Sequence, residues 1–441
     1  LGARQEAAKE AAPMVAWRQQ FAAYAQKTPI SIATQERVLD WLVHDNSAFE
    51  SKRWTLLVPV YSVITLVSAL AAALDFIPTS IFSFLFFIYF ITGSLLGKKA
   101  VHLHSKLTRI VPEMSALTHL LKSFEEQQFL SGHLQWLQQQ GKPDTGPAWL
   151  QLRSLKAILG RFDLRLNAFL FIFLNSFLLW DVRQARSLNA WKKTNRSLVG
   201  HWFAAIAETE VIISIATLHF NQPAWAFPRV AKTYCKLEGT KIGHPLIYEQ
   251  VRVSSDFSIS GSGVIALVTG SNMAGKSTFL RSLGVNLVLA QMGAPVCAAN
   301  FYFSPMQLMS SMRIADDLSE NTSTFYAELK KLKSIIEAVS TKAPLFILLD
   351  EILRGTNSQD RHVGSRALIG QLIRDNTVAV LATHDLSLAE WSGVCERSIE
   401  NYHFDVQVAN EEELYFDYKL KKGVCQSLNA AILMRKIGIE M

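Results

Sequence analysis

The chain has 441 residues and a formal net charge of +7 at pH 7, with an isoelectric point near 9.1; that length allows two or three domains, and that charge suits a polyanion or an anionic membrane surface. Cys235, Cys297, Cys395 and Cys425 lie far apart with no C-x-x-C pair, which excludes a disulfide framework and a cysteine zinc site and fits a reducing, cytoplasmic setting. With 49% hydrophobic residues and a mean hydropathy of +0.16, the composition is apolar for a wholly soluble protein.

The chain opens on Leu1 rather than Met, as a piece of a longer protein does, and "LGARQEAAKEAAPM" is a charged, Ala-rich helix former rather than a secretory signal. Residues 1–53 read as polar helices. Then "WTLLVPVYSVITLVSALAAAL" (54–74) runs without a charge, long enough to cross a ~30 Å hydrocarbon layer. A short "DFIP" (75–78) separates it from "TSIFSFLFFIYFITGSLLG" (79–97), which is also uncharged. Lys52 and Arg53 precede the first segment, Lys98, Lys99, His102 and His104 follow the second, and Asp75 is the only charge between them. Basic outer flanks put both ends on the cytoplasmic side, so 54–97 predicts a transmembrane helical hairpin. The competing reading is a helical hairpin buried in a soluble core.

Residues 98–232 predict an all-α domain of long helices. Within it, "NAFLFIFLNSFLLWD" (167–181) is apolar but short, and Asn175 and Ser176 interrupt it. It therefore predicts a core helix rather than a span. Arg183, Arg186, Lys192, Lys193 and Arg196 form a basic set that either meets phosphates or stays a solvated face near lipid headgroups. "NQPAWAFP" (221–228) is a Pro-rich exit from the helices.

From about 233 to 441 the texture becomes α/β. "GVIALVTG" (263–270), "PLFILLDE" (344–351) and "TVAVLATHD" (377–385) read as buried strands alternating with helices, hence a mostly parallel, covered sheet. The first strand runs into "TGSNMAGKST", which fits G-x-x-x-x-G-K-[ST] and predicts a phosphate loop made by Gly270, Ser271, Asn272, Met273, Ala274, Gly275, Lys276, Ser277 and Thr278. Its glycines let successive backbone N–H groups face phosphate oxygens, and the following helix adds its positive N-terminal end. Lys276 is the candidate for the β- and γ-phosphates of ATP and Ser277 for Mg²⁺. Asp350, at a strand's C-terminal end, is the second candidate Mg²⁺ ligand, and Glu351 beside it is placed to act as general base on a water. His384, just past the third strand, suits a γ-phosphate contact.

These stretches together resemble the ATPase domain of the MutS family, itself related to ABC-type ATPases. That family's loop reads TGPNMxGKST, so Ser271 in place of Pro is the one departure. "GHPLI" (243–247), "AQMGAPVCA" (290–298), "DDLSENTSTFYAEL" (316–329), "DEILRGTNSQD" (350–360) and "ATHD" (382–385) continue the resemblance in register, and the helices of 98–232 look like the family's core or lever region. The resemblance implies a P-loop, ABC-type α/β ATPase in which two domains pair head to tail as a homodimer. Ser323 and Thr324 of the signature segment would then complete the partner's site, with Arg354 to Asp360 along the seam. A wedge of the Phe-x-Glu type that reads mismatches has no equivalent: "SFEEQ" (123–127) falls in a predicted helix. DNA contact without mismatch specificity is therefore the expectation, with repair ancestry and a membrane anchor. The alternative is an ABC-type membrane ATPase working on a non-DNA partner, although "NTSTF" is unlike the usual L-S-G-G-Q signature.

Overall fold

The computed structural model describes residues 1–43, 49, 51–108, 111–143, 146–271, 274–312, 324–390, 398–409 and 413–425. Asn272, Met273, Ser323 and Cys395 lie outside the described residues, as does the side chain of Thr324. Two compact units divide the chain, one over Glu6–Ala216 and one made of Leu1–Gln5 and the chain from Thr217 onward.

The first unit is helical. In chain order its helices are α1 (Gly2–Ala11), α2 (Val15–Lys27), α3 (Ile32–Val43), α4 (Arg53–Ala73), α5 (Thr79–Thr108), α6 (Val111–Glu125), α7 (Gly132–Gln140), α8 (Ala148–Phe162), α9 (Ala168–Leu178), α10 (Trp180–Asn195) and α11 (Val199–Asn221). Phe21, Phe124, Phe162 and Trp202 are fully buried. In "SFEEQ", Phe124 is thus a core residue, while the Glu125 carboxylate accepts from the backbone N–H of Ala148 (2.9 Å) and Trp149 (3.4 Å) at the start of α8. Glu125 thus ties α6 to the start of α8, and the buried Phe124 offers no wedge.

The hairpin of α4 and α5 is not buried inside the protein: only 17% of either apolar window is covered, and Leu57, Val63, Leu66, Phe84 and Phe87 are exposed. Among the described residues, three helices are long and apolar enough to cross a membrane by length and composition: Arg53–Ala73, Thr79–Lys98 and Val199–Asn221. The third, which composition alone did not single out, has 44% of its window buried.

Two expectations from the sequence are corrected here. The short apolar run at 167–181 is not a core helix. It forms α9, bends by 77° into α10, and buries only Asn175 and Ser176 of α9 while Phe169, Leu170 and Phe173 stay exposed. Nor are Arg183, Arg186 and Lys192 a solvated or phosphate-facing set. Arg183 donates to Ser62 Oγ (2.9 Å), Arg186 donates to the Trp54 carbonyl and Thr55 Oγ1 (2.8 Å each), and Lys192 is buried over the Trp41 ring at 5.5 Å. Their long stems and donors tie α10 to α4 and α3, which a reading of charge along one helix does not reveal. Lys193 and Arg196 remain exposed.

The second unit contains two sheets. Its strands are β1 (Arg229–Val230), β2 (Leu237–Ile242), β3 (Ser255–Ile259), β4 (Ile265–Thr269), β5 (Asn300–Phe303), β6 (Gln307–Ser311), β7 (Leu345–Asp350), β8 (Val378–Ala382), β9 (Ile399–Ala409) and β10 (Glu413–Lys422). The larger sheet has the order β10-β9-β4-β8-β7-β6 and is parallel except for β10, which pairs antiparallel with β9. Every residue of β4, β7 and β8 is buried, as expected of central strands covered on both faces. The covering helices are α12 (Lys276–Met292), α13 (Thr324–Ser340) and α14 (Ser358–Arg374), followed by a short α15 (Ser387–Glu390). A second, mixed sheet, β1-β5-β2-β3, was not anticipated.

Candidate functional site

The phosphate loop leaves the C-terminal end of β4 at Thr269 and α12 begins at Lys276. Gly270 has φ 146°, and a Cβ there would sit 2.8 Å from the Phe404 carbonyl, so only glycine fits this close approach to β9. Gly275, at φ 103°, turns the chain into the helix from the left-handed region. Ala274 is buried, Ser277 half-buried and Thr278 exposed. The Lys276 ammonium folds back over the loop and donates to the carbonyls of Gly270 (2.8 Å) and Ser271 (2.9 Å). Burial pushes its pKa down to about 8, against the attraction of Asp350. Ser271 Oγ has no hydrogen-bond partner among the described residues.

The carboxylates approach the same ammonium from the next strand but one. In register, Asp350 of β7 lies opposite Ala382 of β8, and the N–H of Glu351 donates to the Ala382 carbonyl at 2.9 Å. Both residues are buried, and Asp350 Oδ1 has no hydrogen-bond partner among the described residues. Glu351 Oε1 is 3.7 Å from Lys276 Nζ; its Oε2 is paired with Arg354 and lies 3.8 Å from His384 Nδ1. The backbone is left-handed at Glu351 (φ 49°) and Leu353 (φ 58°), a cost non-glycine residues bear where the surroundings enforce it. His384 is exposed, and its pKa is lowered by desolvation and by the nearby cations Arg361, Lys276 and Arg354. It is therefore neutral at neutral pH, a donor or acceptor rather than a cation. The structure thus brings Lys276, Asp350, Glu351 and His384 around one point, with Ser277 on the same cleft.

The enforcing contacts come from α13. Glu328 Oε1 accepts from the N–H of Leu353 at 2.5 Å, and a Cβ on Gly355 would meet Phe325 Cβ at 2.6 Å. The segment after "ST" is thereby pressed onto the turn after "DE". On the far side, His362 Nδ1 lies 3.0 Å from Asp385 Oδ2, tying α14 to the residue after His384.

Above the loop opens a cleft of about 540 Å³. Gly275–Phe279, Glu351 and Arg354 line one side; Ile242, His244, Ile247, Val251, Val253, Phe404 and Tyr418 line the rest. This apolar and aromatic wall was missed from the sequence, apart from the "GHPLI" resemblance. Phe404 and Tyr418 reach the loop only because β9 pairs with β4 and β10 folds back with a register shift between Phe416 and Leu420. A polyanion fits the loop end and a flat heterocycle fits the apolar end.

No group of three or more His, Cys, Asp or Glu among the described residues could enclose a metal. Magnesium in a nucleotide site needs less: one carboxylate, one hydroxyl, and phosphate oxygens and waters for the remainder. The orphaned Asp350 Oδ1 and the Ser277 hydroxyl fit that donor set.

A glycine loop between a buried parallel strand and a helix, closed by a lysine and a strand-end Asp-Glu pair, defines a P-loop nucleoside triphosphatase domain. Residues 266–436 match the family model of MutS domain V. The domain that model describes is an ATPase, so residues 266–436 are similar to a MutS ATPase domain, which implies binding of ATP and Mg²⁺. Among similar proteins, MutS protein homolog 4 of Mus musculus is 30% identical over 197 residues, 42% of this chain and 20% of that protein. The mitochondrial DNA mismatch repair protein mutS homolog of Sarcophyton glaucum is 31% identical, with 49% and 22% covered. DNA mismatch repair protein MutS of Aquifex pyrophilus is 31% identical, with 51% and 26% covered. The chain thus spans between about a fifth and a quarter of these relatives.

Proposed function

We propose that the chain is a membrane-anchored MutS-type ATPase that binds and hydrolyses ATP as a head-to-tail homodimer and moves its helical unit with each cycle. The placement of Lys276 and Glu351 on one cleft, with buried Asp350 acting electrostatically on Lys276, carries this reading. Gly270 to Thr278, including Asn272 and Met273, wrap the phosphates, and Lys276 gives up its loop carbonyls to hold the β- and γ-phosphates. Asp350 and Ser277 hold Mg²⁺, which supplies charge neutralisation on the phosphate oxygens. Glu351 leaves Arg354 to take a proton from the attacking water, and neutral His384 hydrogen-bonds the γ-phosphate. Ser323 and Thr324 act on the partner's nucleotide. The hairpin 54–97, whose only charge is Asp75 between its two apolar segments and whose outer flanks are basic, anchors the chain and keeps the ATPase domain cytoplasmic, supported by the exposure of its apolar side chains.

Glu351→Gln keeps the shape and removes the base, so turnover falls on the order of a hundredfold or more while ATP affinity is retained. Unchanged turnover in that variant refutes the assignment. The three relatives named above include two described as mismatch repair proteins, and a net charge of +7 favours duplex phosphates. With Phe124 in the core, duplex binding is weak and salt-sensitive and shows no mismatch preference. A gel-shift titration with a clear preference for a mispaired duplex overturns that, and no shift at low salt favours the alternative of an ATPase working on a non-DNA partner.

A further inference from the structure

We propose that α9 is a re-entrant helix: residues 166–179 dip into the lipid layer beside α4 and α5 and return to the side from which they came. The proposal rests on the membrane reading of 54–97. Its occupant is lipid acyl chain, and four observations within the helical unit support it.

The first is the surface. Leu166 is 80% exposed, Phe169 73% and Phe173 45%. This face is continuous with the hairpin, because the Phe86 ring of α5 packs, tilted, near those of Phe173 (6.2 Å) and Phe177 (5.7 Å).

The second is how α9 ends. A helix that stops in water leaves its last four carbonyls to solvent, whereas in hydrocarbon each must find a donor inside the protein. Here all four do. The Asn175 carbonyl accepts from the Leu179 N–H (3.2 Å), Ser176 from Tyr61 Oη (3.0 Å), Phe177 from Thr65 Oγ1 (2.8 Å) and Leu178 from Arg183 Nε (2.8 Å). Two of these donors come from the hairpin helix α4. Asn175 adds a bond from its Nδ2 to the Gly93 carbonyl (2.8 Å), and its Oδ1 accepts from the Asp181 N–H (3.3 Å).

The third is closure. Trp180 Nε1 donates to the Arg161 carbonyl at 2.9 Å, and Arg165 lies 3.8 Å from Asp181, so the two ends of the segment meet. The fourth is length. α9 has 11 residues, about 16 Å of rise and roughly half of a ~30 Å layer. Its seat is shaped for it: a Cβ on Gly93 would meet the Asn175 carbonyl at 2.7 Å, and one on Gly97 would meet Asp181 Oδ2 at 2.7 Å.

The test places p-benzoylphenylalanine at Leu66, Phe169, Phe173 or Trp136 of the full chain in phosphatidylcholine–phosphatidylglycerol vesicles carrying a fluorescent lipid. Retained ATP turnover reports folding. Lipid adducts are expected on irradiation at positions 66, 169 and 173, and none at the water-exposed Trp136. An adduct at 66 without adducts at 169 and 173 overturns the re-entrant helix and leaves the hairpin standing. No adduct at 66 removes the membrane reading and the re-entrant helix together. For topology, Arg153→Cys and Lys193→Cys are treated with an impermeant maleimide in sealed vesicles, with the parent chain as background. Reaction of both from one face is expected; reaction from opposite faces makes α9 and α10 a broken span and overturns the proposal.

Discussion

Lys276 is the residue whose chemistry the fold alters most. An ordinary lysine titrates near 10.5; buried against the loop, this one titrates at about 8. Between those values the folded protein carries fewer protons than the unfolded chain, so this group makes folding more favourable as pH rises from 8 to 10.5. Nucleotide binding runs the other way. A triphosphate favours the ammonium, so a site that has lost its proton must take one up before it holds the phosphates. ATP affinity is therefore flat from neutral pH to near 8 and falls above it, approaching about tenfold per pH unit. A fluorescent-nucleotide titration from pH 7 to 9.5 measures this, and calorimetry in buffers of different ionisation enthalpy counts the proton. An affinity that stays level to pH 9.5 overturns the combination of a lowered Lys276 pKa and a Lys276–phosphate contact.

At the scale of elements, α13 and the turn after β7 behave as one piece, because Phe325 packs on Gly355 and Glu328 holds the N–H of Leu353. A valine at position 355 drives its Cβ into Phe325, pushing α13 off the turn that orients Glu351. Displacing a catalytic group by an ångström costs turnover on the order of a hundredfold. Gly355→Val is expected to lose turnover to that extent while ATP affinity, set on the loop side, changes little; equal loss of both would show that the turn also shapes the nucleotide pocket. The loop itself and Asp350–Glu351 were legible in the sequence because their chemistry depends on local spacing: a strand, a fixed run of residues, a helix. The contact of α13 with the turn was not legible, since it joins residues distant in the chain. The aromatic wall of Phe404 and Tyr418 was not legible at all, since a bulged antiparallel pairing at the sheet's edge decides which side chains face the loop. For α10 and α9 the physical reason is different. Charge and apolarity along one helix report composition, whereas Arg183 and Arg186 were aimed by what α4 offered them, and α9 by the donors Tyr61 and Thr65.

At the scale of the whole molecule, the open question is whether one chain can complete a site. Within a chain, the cleft gathers described residues of the loop, Glu351 and an apolar wall, and Arg354 is paired with Glu351. Ser323 and the Thr324 side chain lie outside the described residues, and the head-to-tail pairing proposed above gives both a role in the partner's site. Mixing two inactive variants tests the arrangement. In Glu351→Gln homodimers both bases are missing, and in Ser323→Ala homodimers both trans contacts are missing. A mixed dimer has one doubly defective site and one with both its glutamate and its partner serine present. Free exchange in an equal mixture makes about half the dimers mixed, each with one working site of two, so about a quarter of wild-type turnover returns. Turnover that stays at the level of the separate variants, in a mixture shown by tag pull-down to exchange subunits, means that Ser323 serves its own chain or none.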